Sequence, residues 1–402
     1  MARVLVISPG VLPLPPVLGG AVENMIARLH PGVCERYKLE YISVRSPSPR
    51  VSGQGKLAGA TLHYIDSINP LADFSAENQF ELHGSAQWEN YQEFCCRVAQ
   101  DRGPQLIHVH NEAHLLAPLR EALATARLLL HVNDEVVTRM HPTELARLAG
   151  ACDRILACSN YIADQMSAAF AAAALTAPPI GTFYNFADTG EYDPVTITSA
   201  RLADLRRQLD LGTGPVVMFV GRIIEQKGPH LVLRAFARIA AAHPAARLVF
   251  VGAPWYSRPN ESPFVEAVRR EAGGVCDRIR FTGYVDHDEM PAYYALADIV
   301  CVPSIWDDPS PFVAYEAQAM ARPVLGSNRG GIPEIVADYD TGRCIDPFNV
   351  PLFAQVLDDW LGSPELRREI GTRGRERVCA RFDVAHARRQ MRAVYDQLCP
   401  GA

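Results

Sequence analysis

One rhythm, stated twice, constrains the fold more than any other feature of this chain. Short apolar runs that do not alternate with polar residues are separated by longer stretches of helical spacing. In the first half the runs are 3–8 (RVLVIS), 39–44 (LEYISV), 61–65 (TLHYI), 106–109 (LIHV), 128–132 (LLLHV) and 154–157 (RILA). Helical spacing falls after Gly20, where Val22, Ile26 and Leu29 share a side, and over 85–101, 112–124 and 160–173. Residues 184–200 (YNFADTGEYDPVTITSA) are polar and rich in turn formers, and suit a junction. A short charged helix over 200–209 follows, and the rhythm then restarts. Its second set of runs is 215–220, 247–251, 278–281, 298–302 and 322–326, with helices over 229–242, 262–273, 288–297, 312–321, 351–361 and 384–399.

Non-alternating strands are buried on both faces, which implies parallel sheets covered by helices on either side. A chain of 402 residues is also too long for one ordinary core. The expected fold class is therefore α/β, with two doubly wound Rossmann-like domains, 1–190 and 200–383, facing an interdomain cleft. Ligands are expected at the carboxyl ends of the strands.

Charge excludes some partners. A formal net charge of -6 offers no basic surface for nucleic acid. Only three of the basic residues are lysines (Lys38, Lys56 and Lys227), so Lys227 does not belong to a lysine-rich surface. Ten cysteines form no C-x-x-C and no cluster with zinc spacing, which fits reduced thiols and a cytoplasmic location. The start, MARVLVISPG, lacks the length of a secretory signal, and no apolar stretch approaches a membrane span.

Four segments could carry chemistry. In LPPVLGGAVENMI, Gly19 and Gly20 join a loop to a helix start, where backbone amides can face a ligand or merely make a turn. In VGRIIEQKGPHL, a strand runs into Gly221-Arg222, and Lys227-Gly228 precedes a helix. The planar fork of Arg222 and the mobile charge of Lys227 can converge on a diphosphate, or can be an ordinary surface pair. In LIHVHNEAHL, period two puts His108 and His110 on one side of a strand, near Asn111; HVNDEVV brings Asp134 and Glu135 to the end of the next strand. These residues are candidates for an acceptor pocket. His108, His110 and His114 together could suggest a metal, but no carboxylate or cysteine completes a known spacing, and Asp286-His287-Asp288 reads better as a helix start than as a D-x-D motif, so no metal is expected.

The fourth segment, DDPSPFVAYEAQA, puts Asp308 in a loop kept open by Pro309 and Pro311, and Glu316 about a turn into the following helix. Two carboxylates so placed can reach different parts of one elongated ligand; alternatively, Asp308 caps the helix and Glu316 is solvated.

These segments, in this order, resemble family 4 of the retaining glycosyltransferases, which have the GT-B fold. The likeness spans nearly the whole chain. It rests on Gly19-Gly20, on Gly221, Arg222, Lys227 and Gly228, on FTGYVDHDEMPAYYALADIVCVPS, on the acidic-x7-Glu pattern from Asp308 to Glu316 with AQAMA, and on RGGIPEIV. The resemblance implies an enzyme that moves a sugar from a nucleotide-diphosphate sugar, expected to be a UDP-sugar, with retention of configuration and without metal or cofactor. Arg222 and Lys227 would neutralise the diphosphate, and Gly19-Gly20 would leave room for it. Asp308, Ser310, Pro311, Phe312 and Val313 would border the sugar, Glu316 the ribose, and Gly283, Tyr284 and Val285 the base. His110 would lie near the anomeric centre, and the last helix, 384–402, would pack back on the first domain.

Two departures stand out. Asp308 stands where relatives usually have Glu, and Ser310-Pro311 stands where they usually have Phe-Gly; Pro311 offers no N–H, although Ser310 could supply a replacement contact. The acidic residues Glu77, Glu81, Glu89, Glu93, Glu112, Asp134 and Glu135 favour a small cationic acceptor such as an aminocyclitol, as in the antibiotic-building branch. A polysaccharide or lipid-linked acceptor is the alternative. A phosphorylase or epimerase on the same fold, or a non-catalytic carbohydrate-binding protein, are the rival classes.

Overall fold

The structure is a computed structural model that describes residues 1–16, 20–33, 36–45, 56–57, 59–65, 86–254 and 262–401. Gly19, Glu77 and Glu81 lie outside the described residues. The chain divides into two compact units, Met1–Tyr184 with Ala385–Ala402, and Asn185–Val384.

The first unit is built on strands β1 (Ala2–Ile7), β2 (Tyr37–Val44), β3 (Lys56–Leu57), β4 (Ala60–Ile65), β5 (Leu106–His110), β6 (Arg127–Val132), β7 (Arg154–Ala157) and β8 (Ile180–Thr182). Their order in the sheet is β3-β4-β2-β1-β5-β6-β7-β8, parallel throughout except for β3 against β4. Val4 to Ile7 are fully buried, as a central strand without alternation requires. Helices α1 (Ala21–Leu29), α2 (Ala86–Arg102), α3 (Leu116–Ala122), α4 (Pro142–Ala151) and α5 (Asn160–Ala172) cover the sheet. Helix Val384–Leu398 joins this unit from Ala385 onward. Arg388 donates to the carbonyl of Arg28 through Nε at 3.0 Å, and Gln390 donates to that of Thr182 at 3.2 Å.

The second unit has strands β9 (Val216–Val220), β10 (Arg247–Val251), β11 (Ile279–Phe281), β12 (Ile299–Val302), β13 (Val324–Ser327) and β14 (Gly342–Ile345). All pairs are parallel, in the order β11-β10-β9-β12-β13-β14. Helix Pro229–Ile239 shows how a local pattern becomes packing. Gly228 ends the preceding turn in the left-handed region, Pro229 fits the first helical turn, and Leu231, Val232, Ala235, Phe236 and Ile239 form one buried stripe.

The sequence reading misses β3, β8, β14 and helices Pro142–Ala151, Ile332–Ile335 and Pro364–Arg381. The buried face of the last of these, Ile370, Gly371, Gly374 and Val378, is narrow and half glycine among many charged residues, so no strongly apolar stripe marks it; it packs against helix Phe312–Ala319 and β14. The expected helix over 288–297 is in fact a 3-10 turn, His287–Glu289, followed by Met290–Leu296.

Candidate functional site

In the second sheet the connection order reverses between β9 and β12, and ligands of open parallel sheets bind beyond the carboxyl ends of such strands. After β9 the chain passes Gly221-Arg222 into a 3-10 turn, Glu225–Lys227; after β12 it passes Pro303 to Pro311 into a helix. These loops meet. Lys227 Nζ lies 2.6 Å from Asp308 Oδ2, and Ser304 Oγ donates to the same oxygen at 3.0 Å. Nζ also stands 5.3 Å from the centroid of the Trp306 ring. A Cβ on Gly228 would come within 2.2 Å of the Pro303 carbonyl oxygen, so only glycine allows this approach. Asp308 therefore does not cap the helix; its carboxylate faces the lysine.

Helix Phe312–Ala319 opens at Pro311 with no side-chain cap; Ala314 N donates to the Pro311 carbonyl at 3.1 Å, and the amides before it can meet an anion or a hydroxyl. Glu316 is not a solvated helix residue: it is buried, and Tyr294 donates to its Oε2 at 2.7 Å. Burial, and then the Glu316 charge, push the Tyr294 phenol well above its usual pKa, so Tyr294 remains a donor. Ser310 is committed twice. Its hydroxyl pairs with that of Tyr315 at 2.8 Å, and its carbonyl accepts from Asn185 Nδ2 at 2.9 Å. The replacement contact expected from Ser310 is thus directed into the protein. Phe312 and Val313 are partly exposed on the first turn.

The loop 329–331 closes on Asp308 from the other side. Gly331 N donates to the Asp308 carbonyl at 2.9 Å, and Gly330 has φ +56. A Cβ on Gly330 would stand 2.3 Å from that carbonyl oxygen. Gly330→Ala is expected to destabilise the second unit by about 1–3 kcal/mol; urea unfolding is the check, and an unchanged midpoint would show that the loop simply moves aside. At the end of β11, the Gly283 carbonyl accepts from Gly252 N at 3.0 Å, while Tyr284 and Val285 remain partly exposed where the base was expected. On the same strand, Arg280 pairs with Asp210 at 2.6 Å. His287 of the D-x-D-like stretch meets the Tyr192 hydroxyl at 2.9 Å.

In the first sheet the order reverses at β1, between β2 and β5. Gly20 precedes α1 with φ +98, and Glu23 in the first turn folds back so far that a Cβ on Gly20 would stand 2.2 Å from its Oε2. Burial, reinforced by the nearby Glu112 charge, raises the Glu23 pKa to about 8. Asn111 holds a left-handed conformation at the end of β5, with φ 62, and its Oδ1 accepts from Asn133 N at 2.8 Å. Asp134 accepts from Val136 N at 3.0 Å, and Glu135 pairs with Arg139.

His108 and His110 differ from expectation. They do not sit at an open sheet edge but are fully buried, with ring centroids 4.2 Å apart, alongside His30 and His131. Period two aligned them correctly; what the sequence could not show is that α1 and the last helix close over that face. His108 Nδ1 lies 2.8 Å from the Tyr395 hydroxyl. The reading also missed Ser304, Tyr294, Asn185 and Glu23. Tyr294 and Ser304 lie within the quoted FTGYVDHDEMPAYYALADIVCVPS stretch, so a signal existed there; Asn185, in the junction, gave none.

Residues 203–377 match the family of glycosyl transferases group 1. A GDP-mannose-dependent alpha-(1-6)-phosphatidylinositol monomannoside mannosyltransferase of Mycobacterium tuberculosis is 31% identical over 281 residues, 67% of this chain and 69% of that protein. Spore coat protein SA of Bacillus subtilis is 24% identical over 400 residues, 98% of this chain and 99% of that one. The alpha-D-kanosaminyltransferase of Streptomyces kanamyceticus is 28% identical over 201 residues, half of each chain. Among solved structures, Anabaena Alr3699/HepE in complex with UDP and glucose superposes with a TM-score of 0.77 at 19% identity, over 99% of this chain and all of that one. The fold is that of two-domain, GT-B glycosyltransferases. The chain belongs to the group 1 glycosyl transferases, and is a glycosyltransferase that uses a nucleotide-sugar donor. No described helix is long and apolar enough to cross a membrane.

Proposed function

We propose that the chain transfers a sugar, with retention of configuration, from a nucleotide-diphosphate sugar to a hydroxyl of a small polar acceptor, an aminocyclitol being the first candidate. The observation that carries this reading is the meeting of Lys227, Asp308 and Ser304 beside an uncapped helix start at the switch point of the second sheet. Lys227 and Arg222 neutralise the diphosphate and the charge that develops as it leaves, the task a divalent ion performs elsewhere. Amides of the first turn of helix Phe312–Ala319 approach the donor, Asp308 its sugar, and Glu316, oriented by Tyr294, the ribose. Backbone groups from Gly283 to Val285 meet the base, for which uracil is the first choice. His110 acts near the anomeric centre. A leaving phosphate oxygen accepts the proton of the acceptor hydroxyl, and the hydroxyl attacks from the side the diphosphate vacates. The mannosyltransferase likeness supports a second reading, a lipid-linked acceptor.

The experiment is a panel of UDP- and GDP-sugars, each with aminocyclitol and lipid-linked acceptors, read by mass spectrometry of products and NMR of the new anomeric bond. An α-linked product from an α-linked donor is expected. An inverted product removes the retaining mechanism, and absence of both transfer and slow donor hydrolysis across the panel removes the reading.

A further inference from the structure

Four histidines are buried together in the first unit, and the proposed transfer uses one of them. His108 and His110 project from one side of β5, His131 stands beside His110 in register on β6, and His30 follows the last turn of α1. Ring centroids of His30 lie 5.3 Å from His108 and 5.6 Å from His110. One nitrogen from each of His30, His108 and His110 can be chosen so that all three lie within 4.8 Å of one another. Among the described residues, nothing hydrogen-bonds to either ring nitrogen of His110 or to Nε2 of His108. Polar atoms buried this completely are costly unless something meets them.

We propose that His30, His108 and His110 form a binding site for one borderline first-row transition cation, Zn2+ first. Three features support this beyond proximity. Imidazole nitrogens are the donors such ions prefer when no thiolate is at hand. The three rings are also fully buried, and among the described residues an ion would displace no hydrogen-bond partner from either nitrogen of His110 or from Nε2 of His108. Finally, the Tyr395 hydroxyl lies 2.8 Å from His108 Nδ1 and 3.4 Å from His30 Nδ1. A phenol oxygen can accept from both Nδ1–H groups, which fixes the tautomer that leaves Nε2 for metal, as outer hydrogen bonds do around metal-bound histidines. A tetrahedral ion with bonds of about 2.0–2.1 Å requires donors roughly 3.3 Å apart, so the rings close inward by small rotations on loading. The fourth position is left to water, whose acidification by the ion offsets part of the buried charge.

This site shares His110 with the proposed transfer, so an ion there withdraws the ring from a donor sugar. The test reads binding, not activity. The 402-residue chain without a histidine tag is stripped with chelator and titrated with Zn2+ and with Co2+. We expect one ion per chain and the visible spectrum of tetrahedral, nitrogen-bound Co2+. His30→Gln and His108→Gln should each weaken binding by more than about 100-fold, with His114→Gln, outside the group, binding like the parent. Tyr395→Phe retains the packing and should cost about 10- to 100-fold. If the glutamine variants do not fold, Tyr395→Phe and X-ray absorption of the Zn2+-loaded parent, expected to show three imidazoles, decide the matter. No stoichiometric binding by the folded parent, unaltered affinity in Tyr395→Phe, or an absorption spectrum without imidazole shells overturns the site.

Discussion

Lys227→Ala is expected to lower kcat for glycosyl transfer by about 10²- to 10³-fold, the usual loss when one preorganised donor to a developing negative charge is removed. The lysine has two tasks, and the variant removes both. In the structure Nζ holds the carboxylate of Asp308, which is almost wholly buried and, among the described residues, otherwise receives only the Ser304 hydroxyl. Taking away one partner of such a pair leaves a charge with little solvation, a loss of up to about 3 kcal/mol in stability. The partial exposure of the lysine side chain, 22%, keeps the figure towards the low side. Adding Asp308→Asn to Lys227→Ala separates the two tasks: the double variant should recover the parent's urea midpoint but not its turnover. Arg222→Ala, which leaves the Lys227–Asp308 pair intact, should also lose turnover. Recovery of turnover in the double variant would reduce Lys227 to a counter-ion of Asp308 and withdraw its role on the diphosphate.

The contrast between Lys227 and His110 shows what this sequence discloses. The two-fold rhythm of apolar runs specifies two parallel sheets because burial on both faces leaves strands little choice of residue, and the sheets have that form. Lys227 and Asp308 are 81 positions apart, yet each follows a strand, and the reversal of strand order between β9 and β12 puts both loops at one place. Periodicity and position sufficed for that. Their direct contact was not legible, since it depends on Gly228 admitting the Pro303 carbonyl and on Gly330 admitting that of Asp308. The stretch around Tyr294 was legible but its role was not, and Asn185 was hidden altogether, for a similar reason. A buried phenol or amide that orients a functional group resembles any core residue until its partner is known. For the histidines, alternation named the correct face, but which helices cover that face is a matter of tertiary packing.

Glu23→Gln should convert a pH-dependent stability into a nearly pH-independent one at that position. An ordinary glutamate near 4.5 loses its proton in the unfolded chain well before the folded chain, where burial and Glu112 raise the group to about 8. Between those values the folded state binds the additional proton, so the stability it confers is complete below about pH 4.5 and is lost as pH rises to about 8. The slope is about 1.4 kcal/mol per pH unit. Glutamine has the same shape but no such proton. The difference in unfolding free energy between variant and parent should therefore be flat in acid, move steadily in the variant's favour from about pH 4.5 to 8, and then level off. Urea unfolding by circular dichroism at five or six pH values measures it, and parallel curves for the two proteins would mean that Glu23 is already ionised in the folded chain. The consequence reaches beyond stability. At pH 7 a protonated Glu23 beside Gly20 is a hydrogen-bond donor as well as an acceptor, able to meet the oxygen of a hydroxyl group. An ionised Glu23 would accept only, and would favour an ammonium group. The pH profile of acceptor KM should accordingly turn at the same value as the stability difference if Glu23 touches the acceptor, and should ignore it otherwise.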